Sequence, residues 1–267
     1  MYKKILRELF PWIELRDVNL PRYKIFLIYL KSIFSIIMMS WLIWIFIGLK
    51  VVFSYKYKYD GISFHTTYHL TQNEKKNLNS IVKRIHIRLL QHNINIKELK
   101  ADINLEKDDI YYKLSLTPGV QFIKKGDTAV TIFSNIFIPS VNLVSKTFGK
   151  KNQELLEDIM LHELVHVWQN KYYNMGLTAI ILKIVWVQEG YASYLQNLAG
   201  EKNEKILRLF LKNKHSIDEY VAWAFMVKHA IEKMHKTVDE LHEGKVDFNE
   251  VWDSLLVEYN TTKEEKR

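Results

Sequence analysis

The residues best suited to chemistry lie in residues 162–166, which read HELVH and so form an H-E-x-x-H pattern. Apolar side chains recur at helical spacing through residues 152–172, which predicts that the pattern lies on a helix. Side chains four residues apart on a helix share one face, so His162 and His166 are placed to point at one metal ion. Glu163 between them would be close enough to take a proton from water at that metal.

A third metal ligand is predicted in residues 186–194, WVQEGYASY, a segment expected to form a second helix that ends at Gly200. Its carboxylate is Glu189. Together with His162 and His166 it would complete a two-histidine, one-glutamate set that leaves a fourth position for water, as in catalytic zinc sites. The chain has no cysteine, so thiolate zinc sites, disulfides and cysteine nucleophiles are excluded.

The two motifs together resemble those of the gluzincins, the thermolysin-like clan of zinc peptidases, and particularly the peptidase-MA-like families with H-E-x-x-H and a downstream W-x-x-E-G-x-A. The similarity covers residues 161–195. It implies an α+β, zincin-like domain in which a small mixed sheet precedes an α-helical half that carries the metal site. It also implies that residues 129–138 form an edge strand that pairs with an extended peptide.

The function implied by this resemblance is zinc-dependent hydrolysis of peptide bonds in a peptide or protein substrate. Zn²⁺ would be the cofactor, held by His162, His166 and Glu189, and Glu163 would activate its water. The gluzincins take a further donor for the oxyanion from a tyrosine or histidine beyond the glutamate helix. Tyr220 is the first choice here; His229 is the second. For both of them, core packing or a surface position is the alternative.

Two other functions stay open at this stage. One is a catalytically inactive metallopeptidase-like module that binds a partner at the membrane, and the retention of Glu163 argues against it. The other is an interaction protein whose H-E-x-x-H is accidental, which would make the matching segment around Glu189 a second coincidence. For the individual site residues, the alternative is a solvent-facing helical trio and a surface or capping carboxylate.

A membrane anchor is predicted near the N-terminus. Residues 32–49 form an 18-residue uncharged run, just long enough to span a bilayer as a helix, and the apolar character continues to residue 53. A buried core helix is the alternative. Seven lysines and arginines lie in residues 1–31 and three in residues 50–58, so the positive-inside rule predicts a cytoplasmic N-terminus and an extracytoplasmic catalytic domain over residues 54–260.

The rest of the chain supplies the scaffold and few further candidates. The net charge is +8, but the basic residues are scattered, which argues against nucleic acid as a partner. Thr71 is predicted to cap a helix over residues 73–92. Three strands are expected in residues 110–116, 120–123 and 129–138, with helices after Pro139 and a disordered tail at residues 261–267.

The remaining histidines are predicted to have no role in chemistry. His65 and His69 are expected to be structural or solvated, because they lack a nearby carboxylate and lie in a strand-like or irregular stretch where side chains four residues apart do not converge. Solvated helical faces are predicted for the others, which are His86, His92, His215, His235 and His242. The apolar residues 177–187 are interpreted as a core helix, with a membrane-dipping or substrate-binding surface as the alternative.

Overall fold

The computed structural model describes residues 31–37, 39–40, 53–105, 129–132, 134–138, 152–175, 182, 184–213 and 219–264. The chain divides into two compact units, Met1–Leu49 and Lys50–Arg267.

The first unit is helical where it is described, over residues 31–37 and 39–40. Five large apolar side chains of this helical stretch are 54 to 65% exposed, and these are Ile33, Phe34, Ile36, Ile37 and Met39. Within the described ranges, no helix is both long and apolar enough to cross a bilayer. Most of the predicted anchor, residues 32–53, lies outside those ranges.

The described part of the second unit begins with a five-stranded mixed sheet. A hairpin of β1 (Tyr55–Tyr59) and β2 (Ile62–Thr66) turns at Asp60 and Gly61, whose φ angles of 50° and 87° suit a tight aspartate-glycine turn. Next to β2 lies the parallel strand β3 (Asp102–Leu105).

The other side of the sheet is a second hairpin. It is formed by β4 (Val130–Ile132) and β5 (Asn135–Ile138), which pair antiparallel, and β5 lies parallel to β3. Among the described residues the strand order is β1-β2-β3-β5-β4, so β4 is an edge strand of this part of the sheet. The prediction of one continuous strand over residues 129–138 is therefore wrong, because Ser134 turns the chain back on itself. The strands predicted at residues 110–116 and 120–123 lie outside the described residues.

Helices make up most of the rest. The first is α1 (Gln72–Leu90), which confirms the predicted helix. Thr71 caps it by accepting a hydrogen bond from the Glu74 backbone N–H, and the Glu74 carboxylate accepts one from the Thr71 backbone N–H in a capping box. A short helix that the sequence did not predict, α2 (Ile96–Leu99), precedes β3. The motif helix predicted over residues 152–172 is α3 (Asn152–Tyr173).

After α3 the described chain is helical, as predicted for the region beyond Pro139. The glutamate-bearing helix is α4 (Val185–Leu195), which ends before Gly200 because the chain leaves the helix at Asn197, whose φ is 67°. The later elements are a 3₁₀ turn (Glu201–Asn203), α5 (Glu204–Asn213), α6 (Glu219–Glu232), α7 (Val238–His242) and α8 (Phe248–Glu264). Because α8 continues to Glu264, residues 261–264 of the predicted tail are helical.

The order and packing of these elements make the unit α+β, with a small mixed sheet followed by a helical half. α3 packs on the β4–β5 hairpin and on α4, and α4 packs closely on α6. One continuous apolar core joins the sheet to these helices, and Phe64, Ile103, Ile136 and Leu164 are completely buried in it. The two helices that carry the predicted ligands are thereby held side by side.

The apolar residues 177–187 do not form one core helix where they are described. Ile184, Trp186 and Val187 are buried, whereas Leu182 and Val185 are 48% and 37% exposed. The helix α4 begins at Val185, and residues 177–181 and 183 lie outside the described part of the chain.

Candidate metal centre

The two histidines of the H-E-x-x-H pattern lie one turn apart on α3. Their ring centroids are 4.6 Å apart and the ring planes are nearly perpendicular, at 85°. Both side chains are largely enclosed, with 14% of His162 and 9% of His166 exposed. The two side chains therefore lie side by side, as their spacing along the helix predicted.

Glu189 on α4 lies opposite the two histidines. Its Oε2 is 3.3 Å from Nε2 of His162 and 3.3 Å from Nε2 of His166. One ligand atom from each of the three residues lies within 4.8 Å of the other two, so the three side chains could hold a metal ion. Ligands about 2.0–2.2 Å from a tetrahedral zinc ion are roughly 3.4 Å apart, so the donor types and the two 3.3 Å separations are compatible with a metal such as zinc.

The charges at this cluster favour a cation. Burial alone would lower the pKa of His166, but the negative charge of Glu189 and the hydrogen bond to it raise this pKa to about 9. Burial would likewise raise the pKa of Glu189, yet the two histidines hold it well below its ordinary value. The three side chains thus stabilise a positive charge between them, whether a proton or a metal ion supplies it.

Glu163 lies beside the ligand pair and is 7% exposed. Thr131 on the edge strand β4 donates a hydrogen bond from Oγ1 to Glu163 Oε2 at 2.5 Å, and the same hydroxyl is 3.5 Å from the Glu163 carbonyl oxygen. Glu163, the predicted base, is therefore hydrogen-bonded to β4, which lies in the segment predicted to pair with a peptide substrate. The sequence carried no signal for Thr131.

A glutamine contacts each of the two histidines. On α3, Gln169 accepts a hydrogen bond at Oε1 from Nδ1 of His166 at 2.9 Å. Its Nε2 donates to the carbonyl oxygen of Gln188 on α4 at 3.0 Å and is 3.1 Å from Nε2 of His242. Gln169 is completely buried, so these contacts account for its polar atoms.

The second glutamine, Gln196, stands directly after α4. Its Oε1 accepts from Nδ1 of His162 at 3.1 Å, and its Nε2 donates to the carbonyl oxygen of Asp158 on α3 at 2.7 Å. Neither glutamine was predicted from the sequence. Helical spacing could have pointed to both glutamines. Gln169 lies three residues after His166, and Gln196 lies two turns after Glu189.

The glycine after Glu189 explains how closely α4 and α6 approach. A Cβ atom at Gly190 would lie 2.7 Å from the carbonyl oxygen of Trp223 on α6, which is too short for any side chain. The same helix brings Tyr220 next to the cluster, with its ring centroid 6.2 Å from that of His162. Tyr220 is 43% exposed, so a bound molecule could reach it.

The structure does not bring His229, the second candidate oxyanion donor, to the cluster. Residues nine apart on a helix point to opposite sides, since each residue turns the helix by about 100°. His229 is buried against α8, where its Nδ1 lies 2.8 Å from Glu258 Oε2 and its Nε2 lies 2.8 Å from Ser254 Oγ. Both ring nitrogens are thus occupied by α8.

Several other histidines have carboxylate or buried environments that the sequence did not predict. His65 lies 3.0 Å from Asp102, which the parallel pairing of β2 and β3 brings alongside it, so the expectation of no nearby carboxylate is wrong. His86 contacts Asp60 at 2.8 Å and is mostly buried, which contradicts its predicted solvation.

The predicted solvation of His242 is also wrong, because this residue is only 1% exposed. Of the remaining predicted solvated histidines, His235 is exposed, His92 is half-buried, and His215 lies outside the described residues. The ring of His69 lies against that of Tyr55, with centroids 3.8 Å apart and ring planes tilted by 49°.

Comparisons with protein-family models, with curated proteins and with solved structures each find no match to this chain.

Proposed function

We propose that this chain is a zinc-dependent peptidase that hydrolyses peptide bonds and is anchored in a membrane by one N-terminal transmembrane helix. The observation that carries the proposal is the convergence of Nε2 of His162, Nε2 of His166 and Oε2 of Glu189, with Glu163 adjacent. Two coincidences would be needed to produce this arrangement without a metal role: the helical pair and the carboxylate from a second helix.

His162, His166 and Glu189 would hold the zinc, and a bound zinc ion would polarise the scissile carbonyl and lower the pKa of the attacking water. Glu163 would take the proton of that water and later deliver it to the leaving amine. Because Thr131 bonds Oε2 of Glu163, we assign the proton transfer to Oε1. Tyr220 is the side chain that we assign to donate to the developing oxyanion.

The edge strand supports a peptide as the substrate class. The outer side of β4 faces away from β5, and an extended peptide that paired with it would lie next to Thr131 and hence next to Glu163. Main-chain pairing of this kind recognises a peptide by its backbone. Such pairing would account for binding of the peptide backbone, and other residues would determine which peptide side chains are preferred.

The membrane part of the proposal rests on the sequence and on the apolar surface of the first unit. Residues 32–49 carry no charge, and the described side chains there are largely exposed, as a lipid-facing helix requires. The excess of lysine and arginine before this run supports a cytoplasmic N-terminus and an extracytoplasmic catalytic domain.

The test uses the full chain purified in detergent and measures zinc content and hydrolysis of a fluorogenic peptide library. We expect about one zinc per chain, and Glu163→Gln should retain it while hydrolysis falls by about 10² or more. His166→Ala should lose both zinc and activity. Glu154→Gln is the matched control, because Glu154 is an exposed glutamate in the first turn of the same helix.

The outcomes separate the proposal from its alternatives. Zinc binding without hydrolysis of any library peptide would favour an inactive module that binds a partner at the membrane. Absence of zinc from the parent protein, or equal zinc content in His166→Ala, would contradict a metal role for the H-E-x-x-H pattern.

A further inference from the structure

The two glutamines that contact the ligand histidines are arranged reciprocally between α3 and α4. Gln169 belongs to α3 and donates to a main-chain carbonyl of α4, whereas Gln196 follows α4 and donates to a main-chain carbonyl of α3. Each glutamine also accepts from Nδ1 of one ligand histidine. The same two side chains therefore join the helices and hold the ligands.

We infer that Gln169 and Gln196 are positioning residues that fix both ligand histidines with the proton on Nδ1, so that docking of α3 against α4 sets the zinc affinity of the site. This inference rests on the proposed function, because it assigns the two glutamines a role toward the metal that His162, His166 and Glu189 would hold.

The orientation of the Gln169 amide follows from its partners. A carbonyl oxygen only accepts hydrogen bonds, so the group facing Gln188 O at 3.0 Å must be the amide nitrogen. His242 supports the same orientation, since its Nδ1 donates to the carbonyl oxygen of Val238 at 2.8 Å and its Nε2 is left to accept from Gln169. Oε1 of Gln169 must therefore face His166, whose Nδ1 carries the proton.

The orientation of Gln196 is determined in the same way. Its group at 2.7 Å from the Asp158 carbonyl oxygen must be the donating amide nitrogen, which leaves Oε1 as the acceptor for Nδ1 of His162. With Nδ1 protonated in both rings, Nε2 is the nitrogen left to bind a metal, and both Nε2 atoms lie on the side of Glu189. Metal-binding histidines in general need such a partner for their second nitrogen.

Two features make this pair more than local packing. Both hydrogen-bond partners of the histidines are neutral amides. The described ligand set therefore carries one negative charge, that of Glu189, whereas carboxylates in place of the glutamines would add more. In addition, each amide loses its carbonyl partner if α3 and α4 separate. The tautomer of each histidine is then no longer imposed, so the competent ligand geometry exists only when the two helices are docked.

The test replaces each glutamine by leucine, which removes both the acceptor for Nδ1 and the donor to the carbonyl oxygen of the other helix, and by glutamate, which keeps the acceptor but not the donor. Zinc affinity is measured on the full chain in detergent by competition with a chromophoric chelator. We expect Gln169→Leu and Gln196→Leu to weaken zinc binding by about 10- to 100-fold, and each glutamate variant, which restores only the acceptor, to recover part of that loss. Gln153→Leu, at an exposed position of α3, is the matched control and should bind zinc like the parent.

A second readout distinguishes ligand orientation from stability. With Co²⁺ in place of zinc, the leucine variants should change the visible absorption of the bound ion, whereas Gln153→Leu should not. Circular dichroism with chelator present checks that each variant is folded, and Gln→Asn, whose amide is too short to reach the histidine, replaces a leucine variant that fails to fold.

The outcomes decide between the inference and the proposed function. If the parent binds zinc and the leucine variants bind it equally well, the glutamines do not position the ligands and only this inference fails. If the glutamate variants are as weak as the leucine variants, the acceptor is not what matters and the inference also fails. A parent protein that binds no zinc contradicts the proposed function itself.

Discussion

Thr131 on the edge strand β4 donates its hydroxyl hydrogen bond to Oε2 of Glu163 on α3, at 2.5 Å. This bond joins the strand that would receive a peptide to the residue that would activate water. In the proposed function, peptide docking on β4 and orientation of Glu163 would therefore be connected through one side chain.

We predict that Thr131→Val reduces kcat for peptide hydrolysis roughly tenfold, because Glu163 loses the hydrogen bond that orients its carboxylate. This loss is a fraction of the full contribution of a general base. Zinc content should stay at the parent value, since Thr131 does not contact the ligands directly. Thr131→Ser, which restores the hydroxyl, should recover most of the rate. Equal rates for the valine variant and the parent would show that the bond does not orient the base.

Tyr220 provides a second prediction, since its ring lies 6.2 Å from that of His162. Tyr220→Phe removes only the hydroxyl and should lower kcat by about 10²-fold or more, the scale of losing one oxyanion donor, with zinc content unchanged. Tyr172→Phe is the control, because Tyr172 is similarly exposed and its hydroxyl bonds Glu98 away from the ligands. A rate for Tyr220→Phe that matches this control would exclude Tyr220 as the donor.

Gly190 gives a prediction about stability. Its missing side chain lets the α6 backbone at Trp223 pass within 2.7 Å of where a Cβ would stand, so Gly190→Ala must push the helices apart. We expect a loss of about 1–3 kcal/mol in the free energy of unfolding, measured by denaturant titration. Gly200→Ala, whose Cβ would make only ordinary contacts from 3.4 Å outward, should change stability little. Similar values for the two variants would refute the close-packing explanation.

His242 gives a prediction about pH. Burial lowers its pKa from 6.5 to about 4, so the unfolded chain takes up the proton first as the pH falls. The stability contributed by neutral His242 is therefore complete above pH 6.5 and is lost progressively between pH 6.5 and 4. The loss reaches roughly 2 kcal/mol at pH 5.

The measurement compares the parent with His242→Phe, both with chelator present, by denaturant unfolding at pH 7 and pH 5. Phenylalanine keeps the ring packing with Tyr173 and Tyr191 but cannot titrate. The stability difference between parent and variant should shrink by about 2 kcal/mol on going to pH 5. A difference that is independent of pH would mean that His242 titrates alike in the folded and unfolded states.

The final prediction concerns topology and follows from the basic residues before the uncharged run at residues 32–49. Protease added outside intact cells or spheroplasts should digest the proposed extracytoplasmic domain, residues 54–260, as detected with an antibody to the C-terminus. A cytoplasmic marker protein is the control for intact membranes. Full protection of the domain would reverse the proposed orientation.

The sequence by itself determined the features that depend on near neighbours along the chain. The i, i+4 spacing of His162 and His166 and the apolar periodicity around them predicted α3 almost to its ends, and the Thr71 cap predicted the start of α1. Both follow from helix geometry, which relates residues within a few positions of each other. Glu189 was predicted only because a second recognisable motif surrounds it.

Only the tertiary structure decided which distant side chains meet at these elements. Thr131 reaches Glu163, and Gln196 reaches His162, across more than 30 residues, because the β4–β5 hairpin and α4 pack on α3. The choice between Tyr220 and His229 depended on which face of α6 turns toward α4, since the two residues lie on opposite sides of that helix. No local pattern encodes such packing, because it results from burial of apolar surface summed over the whole core.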